Sequence, residues 1–372
     1  MKLRKGAFED FANQVEIDEK QIIVYGAGMN GQTLTVYWLN QCHLSEKVVC
    51  YVDSDTRKHG KTIQLGKNNV PIRDPSVLEK AKNCVLLMTV NDFEPIIKAL
   101  EQVQGLEDME VYFLPIMIIN SNKPSGNGAI RISEEPLIPR KINYCWFSGN
   151  PIPDQLQKCI DSWKRFCPSY EIIRWDERNY DVSSNEYMRQ AYSCKRWGFV
   201  PDVARLDILY RYGGIYLDTD VELTRNLDEL LYQPAFCSVE RWGTVNMGGC
   251  SGAQPGNPVI KAMLDYRKDE PFLLEDGSLN LMSCGYYETP PLIAKGLRIN
   301  NQTQVIANGM MTVYSSDFFH PYEYISGRLE CTKNTFSIHH FDGGWMDQGT
   351  KLQREKEHTR LSALVKNLHE GP

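Results

Sequence analysis

No apolar run in this chain is long enough to cross a bilayer. The longest, 111–119, falls well short of the roughly 20 residues a spanning helix needs and is broken by Pro115. The basic start MKLRKGAFEDF has no apolar stretch behind it, so no secretory leader is expected. A C-x-x-C pair is also missing. The 11 cysteines, an odd number, scatter from Cys42 to Cys331, which argues against zinc or a disulfide framework and for reduced thiols in a cytosol. Basic excess is lacking too: 41 Lys and Arg against 47 Asp and Glu leave a net charge of -6, where a nucleic-acid binder would normally show the opposite balance. There is no internal repeat or low-complexity tract. What remains is ordinary globular composition, 42% hydrophobic and 24% charged over 372 residues, enough for two α/β domains acting on small molecules.

Residues 1–125 read as the first domain. After a short polar helix, QIIVYGAGMNGQTL is a buried strand, a glycine turn and a helix start, with Gly26, Gly28 and Gly31 forming G-x-G-x-x-G. The next strand ends in Asp53, about where an acidic side chain would meet a ribose hydroxyl in a dinucleotide-binding unit. Strands from Cys84 and from Met109 to Pro115 continue the alternation with helices, which predicts a small parallel sheet of Rossmann type. Two readings stand for it: a nucleotide laid against the glycine turn, or a docking unit that kept the turn and lost the ligand. Residues 121–140 are rich in Ser, Pro, Gly and Asn, and 126–140 are taken as the linker.

The second domain, 141–348, centres on PDVARLDILYRYGGIYLDTDV, Pro201 to Val221. Pro201 suits the first helical position and Asp202 the positive end of the helix dipole. Val203, Leu206, Leu209 and Tyr210 recur at helical spacing, and Gly213-Gly214 ends the run. A strand is expected from Ile215, and its period of two would aim Tyr216, Asp218 and Asp220 at one face, about 7 Å between alternate residues. Two carboxylates that close repel unless a cation lies between them, and a hard divalent ion with room for a phosphate is the usual resolution.

Asp-x-Asp alone is weak, since Asp53-Ser54-Asp55 is a second copy. The longer string, Asp202 and Arg205 on a helix followed by Gly-Gly-x-Tyr-x-Asp-x-Asp, resembles the DXD-containing sugar transferases of glycosyltransferase family 32 and is similar to a string in the large clostridial glucosylating toxins. The resemblance covers about 138–345. It implies a GT-A type transferase domain, with Asp202 and Arg205 holding the donor sugar, Tyr216 lining its pocket, and Asp218 and Asp220 binding Mn²⁺ or Mg²⁺ and the nucleotide diphosphate. It further implies that Trp146 stacks on the base, uracil by preference, that His339 rather than His340 is a metal ligand, and that Trp345 lies near the diphosphate. From the residues themselves, Asn246 in a glycine-rich loop could hydrogen-bond sugar hydroxyls, while Trp163 and Trp175 read as core. The chain departs from the family at Pro201, where Ser is usual, at Gly344, again for Ser, and at Glu288-Thr289-Pro290-Pro291, where relatives carry Gly-Pro-x-x-Thr.

The activity that the resemblance implies is transfer of a sugar from a nucleotide-sugar donor, with retention, to a glycan or lipid-linked acceptor in bacterial surface polysaccharide synthesis, although the residues alone do not distinguish retention from inversion. The alternatives are an oxidoreductase or epimerase, or a regulatory protein, using the N-terminal glycine turn, though no convincing proton-transfer array stands beside it. Residues 349–372 read as a basic amphipathic helix that packs on the transferase domain or touches an anionic membrane from the cytoplasmic side.

Overall fold

The computed structural model describes residues 1–343 other than 5, 91, 92, 122, 126, 127, 242 and 324–326, together with 349, 352, 355, 356 and 359. Among the described residues, the chain divides into two compact units, Met1–Lys123 with Lys356 and Thr359, and Pro124–Glu355. Trp345 lies outside the described residues, as does most of the expected C-terminal helix.

The first unit is built on a seven-stranded sheet in the order Lys2–Arg4, Glu110–Phe113, Cys84–Met88, Gln21–Tyr25, Val48–Val52, Asn68–Arg73, Thr62–Leu65. Every neighbouring pair is parallel except the last, a hairpin at the edge. Ile22, Ile23, Val24 and Tyr25 are buried in succession, as a strand covered on both faces requires. The strand expected to reach Pro115 stops at Phe113, and a helix, Leu114–Ser121, begins instead. Pro115 sits in its first turn, where a missing N–H costs nothing because that donor has no intrahelical partner.

In the second unit the main path of the sheet runs Gln304–Ile306, Met311–Tyr314, Ala235–Val239, Ser251–Ala253, Gly214–Tyr216, Lys141–Cys145, Glu171–Trp175. Gly214–Tyr216 is parallel to Lys141–Cys145 and antiparallel to Ser251–Ala253, so the sheet changes character beside the glycine stop. One core gathers Val203, Leu206 and Leu209 of helix Pro201–Tyr212 with Val259 and Met263 of helix Pro258–Arg267. The other holds Ile160 and Trp163 of helix Asp154–Phe166 with Ile215 and Leu217. Tyr216 belongs to the first core and its neighbours to the second, the alternation a strand imposes. Trp163 and Trp175 are buried, as expected, their indole N–H groups donating to the Val221 carbonyl and Asn143 Oδ1.

Candidate active site

Helix Pro201–Tyr212 ends at Gly213, with φ +64, and Gly214 follows at φ +95. Both lie in the left-handed region, and a Cβ on Gly213 would stand 2.8 Å from the Ala253 carbonyl oxygen, so the stop needs glycine for two reasons. The strand after it is shorter than the sequence predicts. It ends at Tyr216, residues 219–220 form a turn with Val221 N–H donating to the Asp218 carbonyl at 3.1 Å, and a new strand, Val221–Leu223, pairs with Ser337–His339. Asp218 and Asp220 therefore converge from a turn, not from one face of a continuous strand. The chain leaves the sheet because Asp218 N–H bonds the Gly248 carbonyl at 2.8 Å and Val221 has its own partner, His339.

That pairing brings His339 to the carboxylates. One ligand atom from each of Asp218, Asp220 and His339 lies within 4.8 Å of the other two. Burial alone would raise the Asp220 carboxyl, but the His339 ring beside it, 3.3 Å from Nε2 to Oδ1, and the Asp342 N–H bring it down to about 2. Burial would lower the His339 ring, and Asp220 outweighs this and raises it. The buried His339 Nδ1 has no hydrogen-bond partner among the described residues. Two carboxylates and an imidazole with an unused nitrogen are a donor set that could hold a divalent ion. His340 is not part of it: half exposed, it points Nε2 at Glu222, 3.0 Å away.

Asp202 and Arg205 are both buried, and Arg205 Nη2 reaches Asp202 Oδ1 at 3.0 Å and Asp218 Oδ1 at 3.4 Å. The Tyr216 hydroxyl donates to the same Asp218 oxygen at 3.1 Å. The helix pair and the Asp-x-Asp turn are thus joined through one guanidinium. Opposite them is the Val245–Asn246 strand and the turn beyond it, where a Cβ on Gly248 would collide with the Asp218 carboxylate and stand 2.9 Å from Arg205 Nη1. Asn246 builds this turn: its Oδ1 accepts the Gly248 and Gly249 N–H groups at 2.8 and 3.1 Å and its Nδ2 donates to Glu240. The buried carboxamide is thus engaged by its own turn and by Glu240, where a sugar contact was expected.

Trp146 is half-buried, and its Nε1–H donates to the Asn150 carbonyl at 2.8 Å. In the first unit Gly26, at φ +105, and Gly31 make the expected turn, and a Cβ on Gly31 would run into the Gly26 carbonyl. Gly28 has open space around it. The helix beyond is a single turn, Met29–Gln32, broken from Leu34–Gln41 at Thr33. Asp53 does not face outward to a ribose: its Oδ2 accepts the Ala27 N–H and the Lys58 ammonium, each at 2.8 Å, and Oδ1 accepts the Asp55 N–H. The carboxylate occupies a turn N–H that a phosphate would need.

Sequence reasoning missed two charged residues. Glu288, on helix Gly285–Ile293, is 1% exposed and accepts the Met247 N–H at 2.8 Å, with Oε1 3.6 Å from Arg205 Nη1; burial, only partly offset by Arg205, pushes its carboxyl up to about 7. Arg267 lies between the Tyr187 and Tyr287 rings and reaches Asp202 Oδ2 at 3.4 Å. The departure at 288–291 from the family string was the one available sign of Glu288.

Residues 153–237 match the family described as the glycosyltransferase sugar-binding region containing DXD motif, and residues 2–115 match the C-methyltransferase C-terminal domain. Inositol phosphoceramide mannosyltransferase 3 of Schizosaccharomyces pombe is 31% identical over 161 residues, 40% of this chain and 39% of that protein. Mannosyl phosphorylinositol ceramide synthase CSH1 of Saccharomyces cerevisiae is 32% identical over 165 residues, 40% of this chain and 41% of that protein. The chain thus spans about two fifths of the length of these curated relatives. Among solved structures, a PaToxG glycosyltransferase is 19% identical and covers 43% of this chain and 69% of its own, with a TM-score of 0.35, too low to define a shared fold.

Proposed function

We propose that this chain, which carries a DXD-type glycosyltransferase region, moves a sugar from a nucleotide-sugar donor to a lipid-linked or glycan acceptor. The convergence of Asp218, Asp220 and His339 carries the reading. A divalent ion held there would neutralise the departing diphosphate. Arg205, fixed by Asp202 and Asp218, offers positive charge at the same place, and the donor-sugar role of Asp202, which is ion-paired with Arg205 and Arg267, rests on the family 32 resemblance. The half-buried Trp146 ring is the surface proposed to stack on a uracil base, so a UDP-sugar is the favoured donor. Retention of anomeric configuration and a GT-A type domain are part of the proposal and rest on the family 32 resemblance.

The names of the two curated relatives speak for a mannosyl group and an inositol phosphoceramide acceptor. They favour a lipid-linked acceptor over the surface-polysaccharide setting. A cytoplasmic location, suggested by the odd number of cysteines without C-x-x-C pairs, belongs to the same proposal. The alternative of an oxidoreductase or epimerase at the N-terminal turn is disfavoured by the Asp53 carboxylate seated on the Ala27 N–H.

The test is release of nucleotide diphosphate from a panel of UDP- and GDP-hexoses. Chelation should abolish it, Mn²⁺ or Mg²⁺ should restore it, and Asp220→Ala should lower turnover by about 10²-fold or more. Equal activity with EDTA and with metal overturns the assignment of the two aspartates.

A further inference from the structure

We infer that Glu288 is a positioning residue of this site, one that holds Arg205 and the Met247–Gly249 turn in register with Asp218. The inference rests on the glycosyl-transfer reading above and adds a residue that the resemblance does not supply.

The connection runs in two directions from one carboxylate. Oε2 accepts the Met247 N–H, and the next residue, Gly248, accepts the Asp218 N–H at its carbonyl oxygen, so Glu288 anchors the turn that anchors Asp218. Oε1 has no hydrogen-bond partner among the described residues and stands 3.6 Å from Arg205 Nη1, whose sister nitrogen Nη2 serves Asp202 and Asp218. Both neighbours of the carboxylate are donors. Only a group that accepts on both oxygens satisfies them together. The titratable and charged side chains around it are Asp202 and Arg205 of helix Pro201–Tyr212, Arg267 of helix Pro258–Arg267, Cys237 of strand Ala235–Val239, and Cys284 beside its own helix. Arg205 and Arg267 face three carboxylates there, Asp202, Asp218 and Glu288, and Glu288 is the one that stands at Nη1, so its loss leaves that side of the buried Arg205 guanidinium without a carboxylate. A sugar or diphosphate contacting Arg205 then meets a guanidinium held on one side only.

Glu288→Gln keeps the shape and breaks the match, because its amide NH₂ must oppose either the Met247 N–H or Arg205. In the full-length protein, donor hydrolysis is measured with UDP- and GDP-hexoses and Mn²⁺ from pH 5.5 to 8.5. The expected result is a donor KM raised about tenfold with kcat within about threefold. The parent KM should fall as pH rises through about 7, where Glu288 ionises, and the variant should lack that component of the profile. A folded Glu288→Gln protein with the parent's KM and pH profile overturns the inference.

If the parent hydrolyses none of these donors, the glycosyl-transfer reading fails on its own. Glu288 is then judged by urea unfolding of Glu288→Gln, Arg205→Lys and the double variant at pH 8. Non-additive midpoints support the coupling to Arg205 and additive ones refute it. Glu288→Asp replaces Glu288→Gln in that cycle if the latter does not fold, with the same two outcomes.

Discussion

Gly248 shows how little room the site leaves a side chain. A Cβ there meets the Asp218 carboxylate and Arg205 Nη1, the mobile ends of side chains and not backbone, so the carboxylate shifts and the fold survives. Gly248→Ala should therefore lose about 10²-fold in donor hydrolysis with circular dichroism unchanged. Trp146→Ala should weaken UDP binding in the presence of Mn²⁺ by roughly one to two decades, read by titration calorimetry, while leaving metal dependence intact. Glu288 makes a pH prediction for stability as well. Its carboxyl rises from 4.5 to about 7 on folding, so between those values the folded state binds the proton more tightly than the unfolded one. The stabilisation is full below pH 4.5 and is lost as pH rises through 7, on the order of 3 kcal/mol in total, and Glu288→Gln should flatten that slope in urea titrations. The resemblance of the string holding Asp202, Arg205, Asp218 and Asp220 implied one cluster, and the structure gathers these four. Glu288 and Arg267 could not be read the same way, because they enter from helices far along the chain and carry no spacing signal of their own.

At the scale of elements, the alternation Tyr-Leu-Asp-Thr-Asp-Val has the period of a strand, and the structure breaks it after Tyr216. Period alone cannot show this, since the cause is a pairing partner, Ser337–His339, that no local pattern announces. The same limit applies to the glycine turn of the first unit. G-x-G-x-x-G was legible and so were its flanking strands, but the inward course of Asp53 was not, because it depends on Lys58 and the Ala27 N–H meeting one carboxylate. The two glycines differ in what they need. Gly31 has the Gly26 carbonyl where a Cβ would go, whereas Gly28 has open space and an ordinary φ of -87. Gly31→Ala should cost about 1 to 3 kcal/mol by overpacking, and Gly28→Ala should stay within about 0.5 kcal/mol, both from denaturant midpoints.

For the whole molecule, the division into two units makes a prediction that separates structure from chemistry. Each unit has its own sheet, and all the residues assigned to donor binding and metal, Trp146, Asp202, Arg205, Tyr216, Asp218, Asp220 and His339, lie in 124–355. Gly28→Asp places a carboxylate at the start of the one-turn helix Met29–Gln32, where any phosphate would be repelled, and open space spares the fold. Donor hydrolysis by the full chain should then equal that of the parent. Calorimetry of Gly31→Ala supplies the structural half: if the units unfold separately, the parent shows two transitions and only one of them moves. Hydrolysis below that transition should persist. Loss of hydrolysis in a folded Gly28→Asp protein would place the substrate or a required effector in the first unit, and the reading built on Asp218, Asp220 and His339 would have to give way to one built on the glycine turn.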